Sequence, residues 1–281
     1  MKYLRQFLFF LVYSNLFIAA CSVLMVQQTA WLFLGTDADI TLTRFVLFST
    51  LCSYSFHYYF TTGSLIPSPR IRWQLRYRTW LLLLFLTGLA GAAYFFYRMR
   101  EHWFWLTPAV IATFLYSAPK LPHPLFRQLR KVAIGKTIFL SFVWMYVTAA
   151  LPLLVTNTAW NSGYTLFAVN RFFFIYCICI LFDLRDKADD KAAGIRSLIT
   201  FLNDRQVTVL FVFSWTVFAV TTFLLGLYGI SRMNQLLLLL PGIITALLYN
   251  YARKNFSDIL YFVVLDGLMV LSALLMLIGR I

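Results

Sequence analysis

Charge is scarce in this chain of 281 residues, and negative charge scarcest of all. Only 12% of the residues are Asp, Glu, Lys or Arg, against roughly a quarter in a water-soluble domain. Hydrophobic residues make up 61%, and they fall in runs of about 20 residues, long enough to cross a bilayer. A water-soluble fold is thereby excluded, and the length suits a single bundle over residues 1–281. The ten acids face 24 Lys and Arg, for a net charge of +14. The basic loops are short and separate, as in membrane proteins whose cytoplasmic loops meet anionic headgroups, so nucleic acid is set aside as a partner and membrane lipid is expected. Cysteine is limited to Cys21, Cys52, Cys177 and Cys179, all within apolar stretches. Cys177 and Cys179 form C-x-C with no further zinc ligand nearby, so they read as small apolar fillers. Internal repeats and low-complexity segments are absent, which removes sequence support for an inverted-repeat transporter.

The hydropathy pattern predicts an all-α membrane bundle of about nine transmembrane helices, near 6–33, 42–62, 79–98, 102–117, 137–156, 164–182, 206–229, 233–251 and 256–279. Ile18-Ala19-Ala20-Cys21 resembles a lipoprotein cleavage box, but the apolar run continues to Leu34, so an uncleaved first helix is expected. With the amino end in the cytoplasm and the carboxyl end outside, 18 of the 24 basic residues fall on inner segments; the other six are Arg44, Arg98, Arg100, Arg171, Arg232 and Arg280. Three inner loops then stand out, at about 63–78, 118–136 and 183–205.

Four of the ten acids, Asp183, Asp186, Asp189 and Asp190, crowd the point where the sixth span reaches the cytoplasm. Asp183, Asp186 and Asp190 are spaced i, i+3, i+7, so a helix continuing inward sets all three on one side. At about 6 Å and an effective dielectric near 20, each like-charged pair costs about 3 kcal/mol. A divalent cation reverses that sign, and Mg2+ commonly shares one or two carboxylates with substrate phosphates. Arg185, Lys187, Lys191 and Arg196 nearby suit a phosphate-bearing ligand. The competing reading is a solvated loop whose mixed charges balance.

The segment DLRDKADDKAAGIRS resembles the second aspartate-rich motif of the UbiA-type intramembrane prenyltransferases. Asp183, Asp186, Asp190, Ala193, Gly194, Arg196 and Ser197 fill a D-x-x-D-x-x-x-D pattern followed by A-G-x-R-[ST]. The resemblance implies nine helices in the orientation given above, with Mg2+ as cofactor, Asp183, Asp186 and Asp190 as metal ligands, and Asp186 and Asp190 as catalytic. The stretch YSAPKLP at 116–122 is similar to the family's loop after helix four, which implies that Tyr116 and Lys120 face a diphosphate, alongside Lys187 and Arg196.

The family's first motif, N-D-x-x-D or similar at the inner end of helix two, has no counterpart. That region reads CSYSFHYYFTTGS, and no acid occurs between Asp39 and Glu101. His57 there is either a metal or phosphate contact or a packing residue. Arg70, Arg72, Arg76 and Arg78 follow, suited to a diphosphate clamp or to topology and headgroup contact. Asp266, near the middle of the ninth span, should face the bundle interior and find a partner, since a central Asp costs about 3 kcal/mol on insertion scales. Trp144 and Tyr146 are candidates among the many aromatics for steadying an allylic cation.

The expected activity is transfer of an isoprenyl group from a diphosphate donor to an aromatic or lipophilic acceptor, in a bacterial inner membrane with the site facing the cytoplasm. The alternatives are a non-catalytic isoprenoid-binding, lipid-binding or transport protein on the same fold, and a lipid-modifying transferase with another diphosphate substrate.

Overall fold

A computed structural model describes residues 2–61, 68–117, 136–156, 158–192 and 197–279. Among these every regular element is helical. Helices α1 (Lys2–Tyr13), α2 (Leu16–Phe33), α3 (Ile40–Tyr59), α4 (Pro69–Arg76), α5 (Arg78–Arg98) and α6 (Trp103–Ser117) come first. Helix α7 begins as Lys136–Met145, widens into a π segment at Tyr146–Ala150 and resumes at Leu151–Leu154. Helix α8 (Ser162–Ala192), a single turn Leu198–Phe201, α9 (Asp204–Leu224), α10 (Arg232–Ala252) and α11 (Asp266–Ile278) complete the chain, α11 being preceded by a second π segment at Leu260–Leu265.

Seven helices among the described residues are long and apolar enough to cross a membrane, as an integral multi-pass membrane protein requires. They are Leu16–Phe33, Arg78–Arg98, Thr137–Leu154, Ser162–Ala192, Asp204–Tyr228, Arg232–Ala252 and Leu260–Ile278. Two of the nine expected spans differ from these seven. Helix α3 has the length, at 20 residues, but its last three turns are rich in Ser, Tyr and His. Helix α6 has 15 residues, about 22 Å at 1.5 Å per residue, against a hydrocarbon core of about 30 Å.

The expected first span, 6–33, is two helices. Asn15 adopts a left-handed conformation, φ 66°, and breaks the run between α1 and α2. Asparagine tolerates that region better than most residues because its short polar side chain can bond locally or to a neighbour. Here the side chain bonds across the bundle, to Ser55 and Arg70.

Local chemistry accounts for most other boundaries. Asp39 caps α3 by accepting from the Thr41 and Leu42 amides, both at 2.8 Å. Ser68 caps α4, with Pro69 in the first turn where its missing N–H costs nothing. Asn203 and Gln206 form a reciprocal capping box on α9. The π segment in α7 precedes Pro152, which has no N–H to offer the Thr148 carbonyl. That carbonyl accepts instead from Thr29 Oγ1 at 2.6 Å, pinning α7 to α2.

The main apolar core runs along α8 through Phe174, Ile175, Ile178 and Leu181, against α2, α9, α10 and the last helix. Helix α5 stands at the periphery and packs mainly on α3. Their backbones approach so closely at Gly88 that a Cβ there would lie 2.6 Å from the Cys52 amide nitrogen. Small residues at such contacts are how helices associate where lipid removes the hydrophobic drive.

Candidate functional site

Helix α8 carries the aspartates because nothing stops it at the end of its apolar run. After Gly163 it meets no Gly or Pro until Gly194, and Ala188 and Ala192 favour its continuation. The expected continuation of this helix past its apolar run is therefore present, and the helix reaches Ala192.

The C-terminal parts of α3, α6 and α8, the start of α7, α4 and the last helix enclose one cavity of about 170 Å³. Asp183 and Asp186 line it from α8, His57 and Tyr58 from α3, Tyr116 from α6, Arg70 from α4 and Asp266 from α11. His57 and Tyr116, 59 positions apart in sequence, stack with ring centroids 5.7 Å apart and planes at 18°. Asp183 is buried and accepts from Thr137 Oγ1 at the start of α7. Leu140, Val143, Trp144, Ile175, Ile178, Phe182, Phe262 and Met269 form an apolar and aromatic stretch of wall, and Ser22, Ser49, Thr50, Ser53 and Thr113 add hydroxyls. Thr50 donates to Ser22 at 3.0 Å on the α2–α3 side, and Trp144 Nε1 donates to Tyr54 at 3.2 Å. Both π segments border the cavity, through Val147 and Phe262. Single π turns within α-helices are frequent at functional sites.

Four of the expected site residues thus meet: His57, Tyr116, Asp183 and Asp186. Asp190, one turn beyond Asp186, is buried but is not on the cavity wall. Lys187 is half-buried, and its Nζ donates to the Leu202 carbonyl at 3.4 Å instead of facing the cavity. Lys120 and Arg196 lie outside the described residues. Of the two aromatic candidates, Trp144 is on the wall, whereas the Tyr146 hydroxyl donates to the Trp105 carbonyl at 2.8 Å and ties α7 to α6. Asp266 faces the bundle interior, within electrostatic reach of Arg70 and Arg185, although no hydrogen bond joins it to either.

Arg185 also departs from expectation. Instead of serving a phosphate it pairs with Asp258 at 2.7 Å, each side chain 5% exposed. Asp258 also accepts from Ser68 Oγ at 2.9 Å and from the Arg70 amide at 2.7 Å. One carboxylate therefore fastens α4 to α8 at the foot of the last helix. Arg70 is the cation that enters the cavity in place of Arg185. Neither Asn15 nor Asp258 is announced by sequence pattern, because their partners stand 55 and 190 positions away from one another in the Asn15–Arg70 and Ser68–Asp258 bonds.

Among the described residues, no three His, Cys, Asp or Glu side chains converge as a metal cage. The donor set suits a different arrangement. Two carboxylates, Asp183 and Asp186, share one wall, and a hard cation such as Mg2+ completes its shell with water and ligand phosphate oxygens. Compared with family models, curated proteins and solved structures, the chain matches none of them.

Proposed function

We propose that the protein is a UbiA-like membrane prenyltransferase, moving an isoprenyl group from a diphosphate donor to an aromatic or lipophilic acceptor. One observation carries the reading: Asp183 and Asp186 share a cavity with an apolar and aromatic stretch of wall formed by Leu140, Val143, Trp144, Phe182 and Phe262. A phosphate-anchoring end joined to a hydrocarbon-tolerant interior is what an isoprenyl diphosphate needs. The resemblance of segment 183–197 to the family's second motif supports the same reading. At about 170 Å³ the cavity is smaller than the roughly 300–1,000 Å³ of pockets that enclose drug-sized ligands, so a long prenyl chain would extend beyond it into lipid.

In this reading the chain crosses a bacterial inner membrane nine times, α3 and α6 adding to the seven apolar helices. Its amino end and the cavity mouth face the cytoplasm, which the excess of basic residues on those segments supports. Mg2+, when bound, would supply positive charge toward the leaving diphosphate. Asp183 and Asp186 would hold that cation, with Asp190 one turn further along α8. Tyr116 and His57 contact the diphosphate from the opposite side; the resemblance of stretch 116–122 assigns Lys120 to it and that of segment 183–197 assigns Arg196. The bond between prenyl C1 and the diphosphate oxygen breaks, its electron pair leaving with diphosphate. Trp144, Phe182 and Phe262 shield the allylic cation from water and face it with π density. An aromatic acceptor then forms the new bond to C1 and releases a proton.

The second reading is a non-catalytic isoprenoid- or lipid-binding or transport protein, favoured by the absence of carboxylates on the α3 wall. Purified protein incubated with radiolabelled isoprenyl diphosphates, Mg2+ and a panel of aromatic acceptors separates the two. Release of diphosphate with a prenylated product supports transfer; saturable binding with no release for any donor replaces it with the second reading.

A further inference from the structure

The charged side chains on the cavity wall, among the described residues, are three carboxylates and one guanidinium: Asp183, Asp186, Asp266 and Arg70. A phosphate group entering beside these carboxylates gains from positive charge placed close to it. On the α8 side a divalent cation can provide it. On the α3 side no carboxylate can share one, since Ser53, Tyr54, His57 and Tyr58 line that wall and the sequence holds no acid between Asp39 and Glu101. Arg70 stands on that side.

Its placement is tightly defined. The side chain is 3% exposed. The guanidinium is sandwiched between the rings of Tyr58 and Phe262, 4.1 and 4.0 Å from their centroids. Nη2 donates to Asn15 Oδ1 at 2.7 Å, and the backbone amide donates to Asp258. Nε is buried and has no hydrogen-bond partner, and no carboxylate among the described residues forms an ion pair with the group. A buried donor left unpaired is costly, and Asp266 on the same cavity wall acts on this group without a hydrogen bond to it. Aromatic faces hold the cation in place without neutralising it.

We infer that Arg70 is a fixed cation of the diphosphate subsite, providing on the α3 wall the positive charge that a second carboxylate-bound metal would otherwise bring. The inference rests on the diphosphate reading above. It assigns the site at most one carboxylate-held divalent cation, with an always-charged, preorganised fork opposite it. It also gives Asn15 a positioning role, because its left-handed turn is what brings Oδ1 to Nη2.

The test is binding of inorganic pyrophosphate to the purified full chain in detergent, by calorimetry, with Mg2+ and separately in EDTA. Wild type is expected to keep measurable affinity in EDTA. Arg70→Gln should lose about tenfold or more of it, the worth of a charge-assisted hydrogen bond, while retaining Mg2+-dependent binding. Asp186→Asn should do the reverse. Should Arg70→Gln fail to fold, Arg70→Lys and Asn15→Ala take its place; each keeps a cation but loosens it, and each should weaken binding in EDTA more than in Mg2+. A purely structural Arg70 would lower the unfolding midpoint without changing the ratio of the two affinities, and that result overturns the inference. So does wild-type binding that vanishes in EDTA. If wild type binds pyrophosphate in neither condition, the diphosphate reading itself falls.

Discussion

Arg185 turns its back on the cavity and meets Asp258, 73 positions later, at 2.7 Å in a nearly dry setting. It also lies over the rings of Tyr261 and Phe262. The pair decides which arginine lines the cavity: Arg185 is held in an ion pair with Asp258, and Arg70, whose amide the same carboxylate holds, reaches the cavity wall.

Asp258→Asn should therefore be among the most damaging single changes. It leaves a buried guanidinium without its counter-charge, at a cost of about 3–5 kcal/mol. The expected readout is a fall in the unfolding midpoint in micelles. Replacing both Arg185 and Asp258 with Met should recover part of that loss; a double variant as unstable as the sum of the singles would show that the two do not interact.

Under the prenyl-transfer reading, Asp186→Asn should reduce diphosphate release by about a hundredfold or more. Asp190→Asn should reduce it less, because Asp190 is off the cavity wall. Release of labelled diphosphate measures both. An equal or larger loss at Asp190 would place the cation nearer the end of α8 than the cavity lining indicates.

Chelation with EDTA should stop product formation, and added Mg2+ should restore it. Activity surviving thorough chelation would mean that the chain's own cations suffice for leaving-group departure and that the paired carboxylates serve another purpose.

Gly88→Val should separate α5 from α3. Its Cβ would sit 2.6 Å from Cys52 N and 2.9 Å from Cys52 Cα, atoms that cannot rotate away. Overpacking of this kind costs about 1–3 kcal/mol or more. Gly35, where nothing lies within 4 Å, gives a control of a different kind: its φ of 69° makes valine there a matter of backbone strain alone. Midpoints of thermal unfolding should fall for both, and only the Gly88 change should alter crosslinking between cysteines placed on α3 and α5.

On the far side of the core, Arg171 is 1% exposed and donates through Nη2 to Gln28, which also accepts from Ser272. Gln28→Leu should destabilise by about 2–3 kcal/mol, since a buried charged donor loses its acceptor. Gln28→Leu with Arg171→Met should be closer to wild type than Gln28→Leu alone, as folded fractions in micelles would record.

The linear sequence determined the membrane character, the helical class, and the continuation of α8 that lines up Asp183 and Asp186. These follow from composition and from periodicities of a few residues, which are local. Asp266 likewise had to face inward, because a carboxylate cannot face lipid cheaply. Tertiary structure alone decided the rest. It divided the first apolar run at Asn15, stacked His57 on Tyr116, sent Lys187 to a backbone carbonyl, and chose Arg70 over Arg185 for the cavity. Each of these outcomes depends on a partner distant in sequence, from 15 positions for Lys187 and Leu202 to 190 for Ser68 and Asp258. Neighbouring arginines look alike in sequence; only the packing of α4 between α1, α3 and the last helix determines which one a carboxylate reaches first.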